Sequence, residues 1–222
     1  MSHPPRWQHG SATPWPLGKI LCVGRNYAEH ARELGNPQPA EPILFIKPAT
    51  AAVDFERPWS IPTDQGACHV ETELALLIGQ PLRRAAAEQT MAAIAGYGIG
   101  LDLTLRELQN RLKQAGHPWE VAKAFDGSCP LTPFIPAAEL GDPTRLCFTL
   151  ELNGRPQQRG DVTQMLFSIP QLLQTMSHHF TLLPGDVVLT GTPAGVTALQ
   201  PGDRLQVTLA NAQWQGQVAE TG

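Results

Sequence analysis

The stretch His69-Val-Glu71-Thr-Glu73-Leu-Ala-Leu-Leu-Ile78 places two acidic side chains directly before an unbroken apolar run. Alternate residues of a β-strand share a face, so Glu71 and Glu73 point the same way, and His69 lies on that face as well. The apolar run after them is typical of a strand that is buried on both faces. We therefore interpret His69–Ile78 as a core strand that carries two carboxylates into the interior of a sheet.

Two neighbouring carboxylates inside a sheet repel each other and lose hydration, so they need protons, cationic partners or a metal ion. A divalent cation that prefers oxygen ligands, such as Mg²⁺, meets both needs. Asp102 ends the apolar segment Gly96–Leu101 and is the candidate third ligand, although a local turn or cap explains it equally well. An exposed strand face would explain Glu71 and Glu73 without a metal, so these residues alone leave both interpretations open.

Short apolar runs separated by 20 glycines and 21 prolines indicate many short strands joined by turns. Asn153-Gly154 predicts a hairpin, and two Pro-Gly segments, Leu183–Asp186 and Gln200–Asp203, predict turns that precede strands. Besides His69–Ile78, the predicted strands are Lys19–Val23, Ile43–Lys47, Ala95–Leu101, Leu146–Leu152, Asp186–Thr190 and Arg204–Leu209.

Helical signals occur at three places in the chain. Asn26 can cap the first helix, and the Thr104…Glu107 pair reads as a capping box at the start of the second. The predicted helices are Tyr27–Leu34, Thr104–Gln114 and Phe167–Phe180. Since no Gly/Ser-rich linker divides the chain, we expect one β-rich catalytic domain at 19–222, with an N-terminal extension at 1–18.

The composition of the 222-residue chain restricts the classes of partner. A net charge of −4 and scattered cations give no basic stripe, so we expect no nucleic-acid partner. No apolar run approaches the roughly 18 residues of a membrane span, and the N-terminus has no secretory h-region. The four cysteines form no CxxC pair. We therefore expect a cytoplasmic protein with reduced thiols and no membrane partner.

Further side chains suggest chemistry beside the carboxylates. His30 and Glu33 share a helix face, and a carboxylate beside an imidazole favours a general base, although a solvated pair is the simpler interpretation. Other polar groups could bind a substrate carboxylate and stabilise an enolate, or could equally be surface or turn residues: Lys47, Arg106, Gln109, Lys123 and Thr192.

Six motifs occur in order along the chain: Cys22-Val-Gly-Arg-Asn-Tyr-Ala-Glu-His30, Pro42-Ile-Leu-Phe-Ile-Lys-Pro48, His69-Val-Glu-Thr-Glu73, Gly98-Ile-Gly-Leu-Asp-Leu-Thr104, Pro118-Trp119 with Lys123-Ala-Phe-Asp126, and Leu189-Thr-Gly-Thr-Pro-Ala-Gly-Val196. In these motifs the chain resembles the fumarylacetoacetate hydrolase family, in its small single-domain acylpyruvase and oxaloacetate decarboxylase-like branch. The resemblance runs from about Lys19 to Leu209. Gly195-Val196-Thr197 departs from the Gly-Val-Gly that family members often have.

The resemblance implies a fold and a set of site residues. The fold is α+β and mainly β, a mixed β-sandwich roll of the fumarylacetoacetase C-terminal domain type with short peripheral helices, assembled as a homodimer. The implied metal is Mg²⁺ or Mn²⁺ at Glu71, Glu73 and Asp102. The implied catalytic residues are His30, Glu33 and Lys123, and the matching substrate positions are Arg25, Lys47, Arg106, Gln109 and Thr192.

This site suggests a divalent-metal-dependent hydrolase that cleaves a C–C bond in acylpyruvates or related 2,4-dioxo acids. His30, oriented by Glu33, would activate water, and Lys123 would help to stabilise the pyruvate enolate. The alternative uses the same enolate without water, as an oxaloacetate decarboxylase or tautomerase or as a 2-hydroxymuconate-type isomerase. In each case the partner is a small 2-oxo acid. A non-catalytic domain that binds 2-oxo acids would leave the His30/Glu33 pair unexplained.

Overall fold

The computed structural model describes residues 5–33, 35 and 37–220. Strands predominate, and they combine segments that are distant in the sequence into three sheets. The strands are β1 (Ile20–Gly24), β2 (Ile43–Lys47), β3 (Ala52–Asp54), β4 (Cys68–Val70), β5 (Thr72–Ile78), β6 (Ile94–Leu101), β7 (Thr104–Leu105), β8 (Cys129–Leu131), β9 (Ile135–Pro136), β10 (Cys147–Leu152), β11 (Arg155–Asp161), β12 (Val187–Leu189), β13 (Thr197–Ala198), β14 (Arg204–Leu209) and β15 (Ala212–Gln217).

Helices are short and lie outside the sheets. They are α1 (Ala28–Glu33), α2 (Ala87–Thr90), α3 (Arg106–Ala115), α4 (Glu120–Lys123) and α5 (Ile169–His179). Within the described part of the chain, no helix is both long and apolar enough to cross a membrane.

The largest sheet has eight strands in the order β2-β1-β12-β5-β6-β8-β3, with β9 beside β6. Its strand β5 is buried along its whole length and pairs antiparallel with β6 and β12. The pairs β1–β12 and β3–β8 are parallel, so the sheet is mixed. This confirms the expected buried core strand.

A four-stranded antiparallel sheet, β11-β10-β14-β15, packs against the large one. Phe148 and Leu150 of β10 belong to the same apolar core as Leu74 and Leu76 of β5, which confirms the expected mixed β roll. Its β10–β11 hairpin turns at Asn153-Gly154, as predicted, with both residues in the left-handed region.

The predicted strand His69–Ile78 is interrupted at Glu71, and this part of the prediction is wrong. Its first part, β4, pairs with β7 and β13 in a small third sheet, whereas β5 belongs to the large sheet. The chain therefore passes from one sheet to the other at the carboxylates. A continuous apolar pattern cannot reveal such a change, because both segments are buried.

The two predicted Pro-Gly turns are confirmed, and they have the same chemistry. The backbone N–H of Asp186 donates to the Leu183 carbonyl at 3.0 Å, and that of Asp203 donates to the Gln200 carbonyl at 3.1 Å. Each aspartate then accepts a hydrogen bond from the first residue of its turn, at 2.8 and 2.7 Å. Both turns lead directly into sheet strands.

The predicted helices are present, but two of the capping assignments are wrong. Thr104 lies in β7, and α3 begins at Arg106 without a side-chain cap, so the Thr104…Glu107 capping box does not form. The first helix is seen as Ala28–Glu33, and Leu34, its predicted end, lies outside the described residues.

Asn26 joins three segments instead of capping a helix. Its Nδ2 donates to the carbonyls of Phe167 and Thr190 at 3.0 and 2.8 Å, and its Oδ1 accepts from the Phe167 N–H at 2.7 Å. The side chain is fully buried. Asn26 therefore fixes the approach to α1 against the end of β12 and the segment that precedes α5.

The N-terminal segment lies along the large sheet. Gln8 N–H donates to the Phe134 carbonyl at 2.9 Å, and Phe134 N–H donates to the Arg6 carbonyl at 2.8 Å. Leu17 belongs to a second apolar cluster, which Trp7 covers. The division into an extension at 1–18 and a domain at 19–222 stays a prediction.

Replacing Asn26 with Ala should lower the free energy of unfolding by about 3 kcal/mol, because it leaves buried backbone groups without partners. Urea denaturation followed by tryptophan fluorescence measures this. Asn110→Ala, on the exposed face of α3, is the matched control and should change stability by no more than about 0.5 kcal/mol. Equal midpoints for the two variants would contradict the role given to Asn26.

Candidate active site

The three predicted metal ligands converge. In the β5–β6 register Thr72 lies opposite Leu101, and the Asp102 N–H donates to the Glu71 carbonyl at 2.8 Å. Glu71, Glu73 and Asp102 are 5%, 1% and 1% exposed, and each offers an oxygen within 4.8 Å of the others. The break between β4 and β5 at Glu71 is therefore part of how the three carboxylates meet.

Lys123, the last residue of α4, links two of these carboxylates. Its Nζ donates to Glu71 Oε2 at 2.8 Å, to Asp102 Oδ2 at 2.6 Å and to Thr104 Oγ1 at 2.7 Å. These three bonds use the full donor capacity of an ammonium group. Lys123 is thus held in one position beside the acidic cluster.

Two more cations balance the carboxylates. Lys47 is completely buried, lies 2.9 Å from Asp102 Oδ1, and donates to Ser128 Oγ at 3.1 Å. Arg106 pairs with Glu71 and donates to Gln109 Oε1 at 3.0 Å. Three carboxylates therefore face three cations, which come from β2, α3 and α4.

Burial and charge move the pKa values of this cluster in opposite directions. Burial raises the pKa of Glu71, but Lys123 and Arg106 outweigh it and hold the pKa well below its ordinary value. Burial, together with the charges of Asp102 and Glu71, raises the pKa of Glu73 well above its ordinary value. Burial lowers the pKa of Lys123, but Asp102 and Glu71 reverse this and keep the ammonium protonated.

The donor set fits a hard divalent cation. Carboxylate oxygens are the ligands that Mg²⁺ and Mn²⁺ prefer. Asp102 Oδ1 lies near Lys47 but accepts no well-directed hydrogen bond from any described group. Burial, and then repulsion from Asp102 and Glu71, raises the pKa of Glu73, and a bound dication would offset both. The site can therefore hold a divalent metal through Glu71, Glu73 and Asp102.

His30 and Glu33 are brought together on α1, as predicted. His30 Nδ1 lies 3.4 Å from Glu33 Oε2, and the Gly195 N–H donates to both Glu33 oxygens at 3.2 and 3.3 Å. Burial lowers the pKa of His30, although Glu71 and Glu33 oppose the shift. The imidazole is therefore neutral at physiological pH, the state in which it can accept a proton.

A small cavity of about 30 Å³ lies between α1, α3 and α4. Phe45 and Trp119 form an aromatic wall, with ring centroids 6.4 Å apart. The polar side chains that line it are six of the predicted site residues and one that was not predicted, Lys113: Arg25, His30, Glu71, Arg106, Gln109, Lys113 and Lys123.

Two predicted substrate residues lie behind the cavity. Lys47 forms an ion pair with Asp102, and the Thr192 hydroxyl donates to the Thr72 carbonyl at 3.0 Å. Their direct contact with substrate stays a prediction, because neither side chain lines the cavity.

Sequence reasoning missed Gln158, a residue of β11 that connects the second sheet to the site. Its Oε1 accepts from the Thr72 N–H at 3.0 Å, and its Nε2 donates to Thr192 Oγ1 at 2.8 Å and to the Pro193 carbonyl at 3.0 Å. Gln158 therefore holds the start of β5 to the Gly-Thr-Pro turn. A single glutamine in an exposed-looking strand carries no sequence signal for this role.

Comparison with known proteins identifies a family that covers most of the chain. The fumarylacetoacetate (FAA) hydrolase C-terminal family matches residues 19–220. Oxaloacetate tautomerase YcgM of Escherichia coli (strain K12) is 54% identical over 91% of this chain and 92% of that protein. The mitochondrial oxaloacetate tautomerase FAHD1 of Bos taurus is 42% identical over 86% of this chain and 87% of that protein.

A solved structure carries the same architecture. It is a fumarylpyruvate hydrolase from Pseudomonas aeruginosa in complex with Mn²⁺ and pyruvate, with a TM-score of 0.92 and 36% identity over 100% of this chain and 97% of that one. The fold and the relatives define an enzyme, and its site is a buried carboxylate centre beside a histidine. The chain belongs to the fumarylacetoacetate hydrolase family.

A divalent metal should stabilise the folded protein, and Glu73→Gln should remove this effect. At about 100 times Kd, Mg²⁺ or Mn²⁺ should add about 2.7 kcal/mol, or about 5–10 °C in Tm. Without metal, Glu73→Gln should be at least as stable as the native protein, because it removes carboxylate repulsion. Differential scanning fluorimetry with and without EDTA measures both effects.

Glu88→Gln, an exposed acid-to-amide change on α2, is the control and should keep the full metal response. An undiminished metal-induced rise in Tm in Glu73→Gln would rule out Glu73 as a ligand.

Proposed function

We propose that this enzyme interconverts the keto and enol forms of oxaloacetate, using Mg²⁺ or Mn²⁺ held by Glu71, Glu73 and Asp102. The proposal adopts the alternative function from the sequence, and not the acylpyruvate hydrolase, because relatives at 54% and 42% identity are named oxaloacetate tautomerases. The fumarylpyruvate hydrolase, at 36% identity, supports the same 2-oxo acid chemistry at a greater distance.

The observation that carries the proposal is a neutral base and a fixed ammonium group that share one small cavity. Burial lowers the pKa of His30, whereas Asp102 and Glu71 raise the pKa of Lys123 above its ordinary value despite burial. Two titratable groups whose surroundings move their pKa values apart are typical of proton-transfer sites. A tautomerase needs only such a pair, since it moves one proton and breaks no C–C bond.

The residues would act as follows. His30 removes a proton from C3 of the keto acid, and the electron pair moves to form the C2–C3 double bond. The Lys123 ammonium stabilises the negative charge that develops on the C2 oxygen through its fixed positive charge. The His30 imidazolium then gives its proton to that oxygen, which yields the enol and restores the neutral base. The reverse sequence returns the keto form. A bound divalent cation would supply Lewis-acid polarisation of the 2-oxo group.

Glu33 would position His30, and Arg106 and Gln109 would orient the substrate. Glu33 is itself held by the Gly195 N–H, which connects α1 to the Gly-Thr-Pro turn. Arg106 and Gln109 lie on the same face of α3 and are hydrogen-bonded to each other, and both side chains line the cavity. A bidentate guanidinium suits a carboxylate of the substrate.

We also propose a homodimer, the assembly that the family resemblance implies. The strand β2 forms one edge of the large sheet, and its residues Ile43, Leu44, Phe45 and Ile46 are only partly buried. An apolar edge strand of this kind favours association with another chain. Light scattering coupled to gel filtration should give twice the 24.1 kDa of the chain. A monomer mass at micromolar concentration would reject the proposal.

The function is tested by mixing the purified enzyme with enol-oxaloacetate and following the loss of enol absorbance, with products identified by NMR. We expect fast relaxation to the keto form, abolished by EDTA and restored by Mg²⁺ or Mn²⁺. Acetylpyruvate, tested in parallel, should be cleaved far more slowly. Rapid release of acetate and pyruvate from acetylpyruvate, without acceleration of oxaloacetate tautomerisation, would reject the tautomerase and favour the acylpyruvate hydrolase.

His30→Gln should lower kcat for tautomerisation by about 10²–10⁴-fold, the usual contribution of a general base. His178→Gln, on the exposed end of α5, is the control. Since the pKa of His30 is lowered, its neutral form persists below the ordinary imidazole value of about 6.5, and the acid limb of kcat/KM should lie below that pH. An acid limb at higher pH, or full activity in His30→Gln, would contradict the assignment.

A further inference from the structure

Lys113 is a cavity residue for which the mechanism has no use. On α3 it follows Arg106 and Gln109 at intervals of three and four residues, so the three side chains share one helix face. All three line the cavity. Lys113 therefore points towards the substrate site, and not towards solvent as most lysines on short helices do.

Lys113 and Lys123 lie against different rings of the aromatic wall. Lys113 Nζ is 5.0 Å from the centroid of Trp119, and Lys123 Nζ is 5.3 Å from that of Phe45. The two rings are neighbours, so the wall carries Lys123, which is bonded to the carboxylate centre, and Lys113, which forms no ion pair with a described carboxylate. A substrate that lies along this wall would meet a cation near each end.

Arg25 adds a second positive charge to the outer part of the cavity. It precedes α1, and its backbone φ of 60° is in the left-handed region that non-glycine residues rarely adopt. Within the described ranges, neither Arg25 nor Lys113 forms an ion pair with a carboxylate, whereas Arg106 is paired with Glu71. The outer charges are thus not compensated by the protein itself.

The environment of Lys113 agrees with an absent anionic partner. Burial, and then repulsion from Arg25, Arg106 and Lys123, lowers the pKa of Lys113 to about 8. Concentrating cations in this way costs free energy unless an anion binds between them. A carboxylate of the substrate would be this anion.

We propose that Lys113 and Arg25 bind the second carboxylate of the substrate, so that the enzyme selects 2-oxo dicarboxylates over 2-oxo monocarboxylates. The inference rests on the proposed function for the reaction, but concerns a different part of the substrate. The inner residues bind the 2-oxo acid end, which every candidate substrate has. Lys113 and Arg25 distinguish oxaloacetate from acids whose far end is neutral.

The test compares oxaloacetate with its C4-methyl ester, which enolises in the same way but lacks the second charge. In Lys113→Met, which keeps an unbranched stem against Trp119, the ratio of kcat/KM for oxaloacetate over the ester should fall about 10–100-fold, mainly through KM for oxaloacetate. This is the size expected for one charge-assisted hydrogen bond. Lys113→Arg should restore most of the ratio.

Arg111→Met is the matched control, since it removes a cation from the exposed face of the same helix and should leave the ratio unchanged. An unchanged ratio in Lys113→Met would overturn the proposal. Equal losses for both substrates would also overturn it, because they would show that Lys113 only supports Trp119.

Binding separates this proposal from the proposed function. Malate and lactate differ in the same second carboxylate and are not tautomerised. By calorimetry with Mg²⁺ present, the native enzyme should bind malate more tightly than lactate, and Lys113→Met should reduce this preference at least about tenfold. If the native enzyme turns over neither oxaloacetate nor its ester, the proposed tautomerase function is rejected. The preference for malate over lactate then decides the role of Lys113 by itself.

Discussion

The structure depends on the balance between three buried carboxylates and the three cations that lie beside them. Burying one unpaired charge is costly, so the carboxylates of Glu71 and Asp102 persist inside the protein because Lys47, Arg106 and Lys123 approach them. Glu73 accepts a hydrogen bond from the Gly191 N–H, and burial together with the other two carboxylates raises its pKa. The cations come from β2, α3 and α4, which are far apart in the sequence. The cluster therefore fixes the arrangement of these elements around the end of the large sheet, and any metal centre is built on it.

The sequence predicted the elements whose residues follow a regular pattern. The strands β2 and β14 match their predicted bounds, since an apolar or alternating run flanked by turn residues has few alternatives. Thr104 was misjudged because a threonine three residues before a glutamate reads as a capping box, while its hydroxyl accepts a hydrogen bond from Lys123. Local pattern cannot show a partner 19 residues away. Gln158 escaped detection for the same reason.

The choice between hydrolase and tautomerase shows where motifs stop being informative. A histidine beside a glutamate predicts a base, and the structure places both on α1. A base can take its proton from water or from the C3 carbon of a substrate, and the residues proposed to bind the 2-oxo acid end are the same in both cases. Whether hydrolysis or tautomerisation follows depends on whether a water molecule fits beside the substrate in the cavity. The spacing of residues in the sequence does not contain this information.

The charge of the site suggests which acids it accepts. The inner cations and carboxylates cancel, so a divalent cation would leave this region with about two positive charges, and Arg25 and Lys113 add more at the outer end. A monoanion would neutralise only part of this charge. A dianion with its two carboxylates at opposite ends places one negative charge near each group of cations, and so gains more from the same field. The proposed selection for a dicarboxylate would therefore follow from the charge that lines the cavity, and the proposed chemistry at C2 and C3 would need no change to accommodate it.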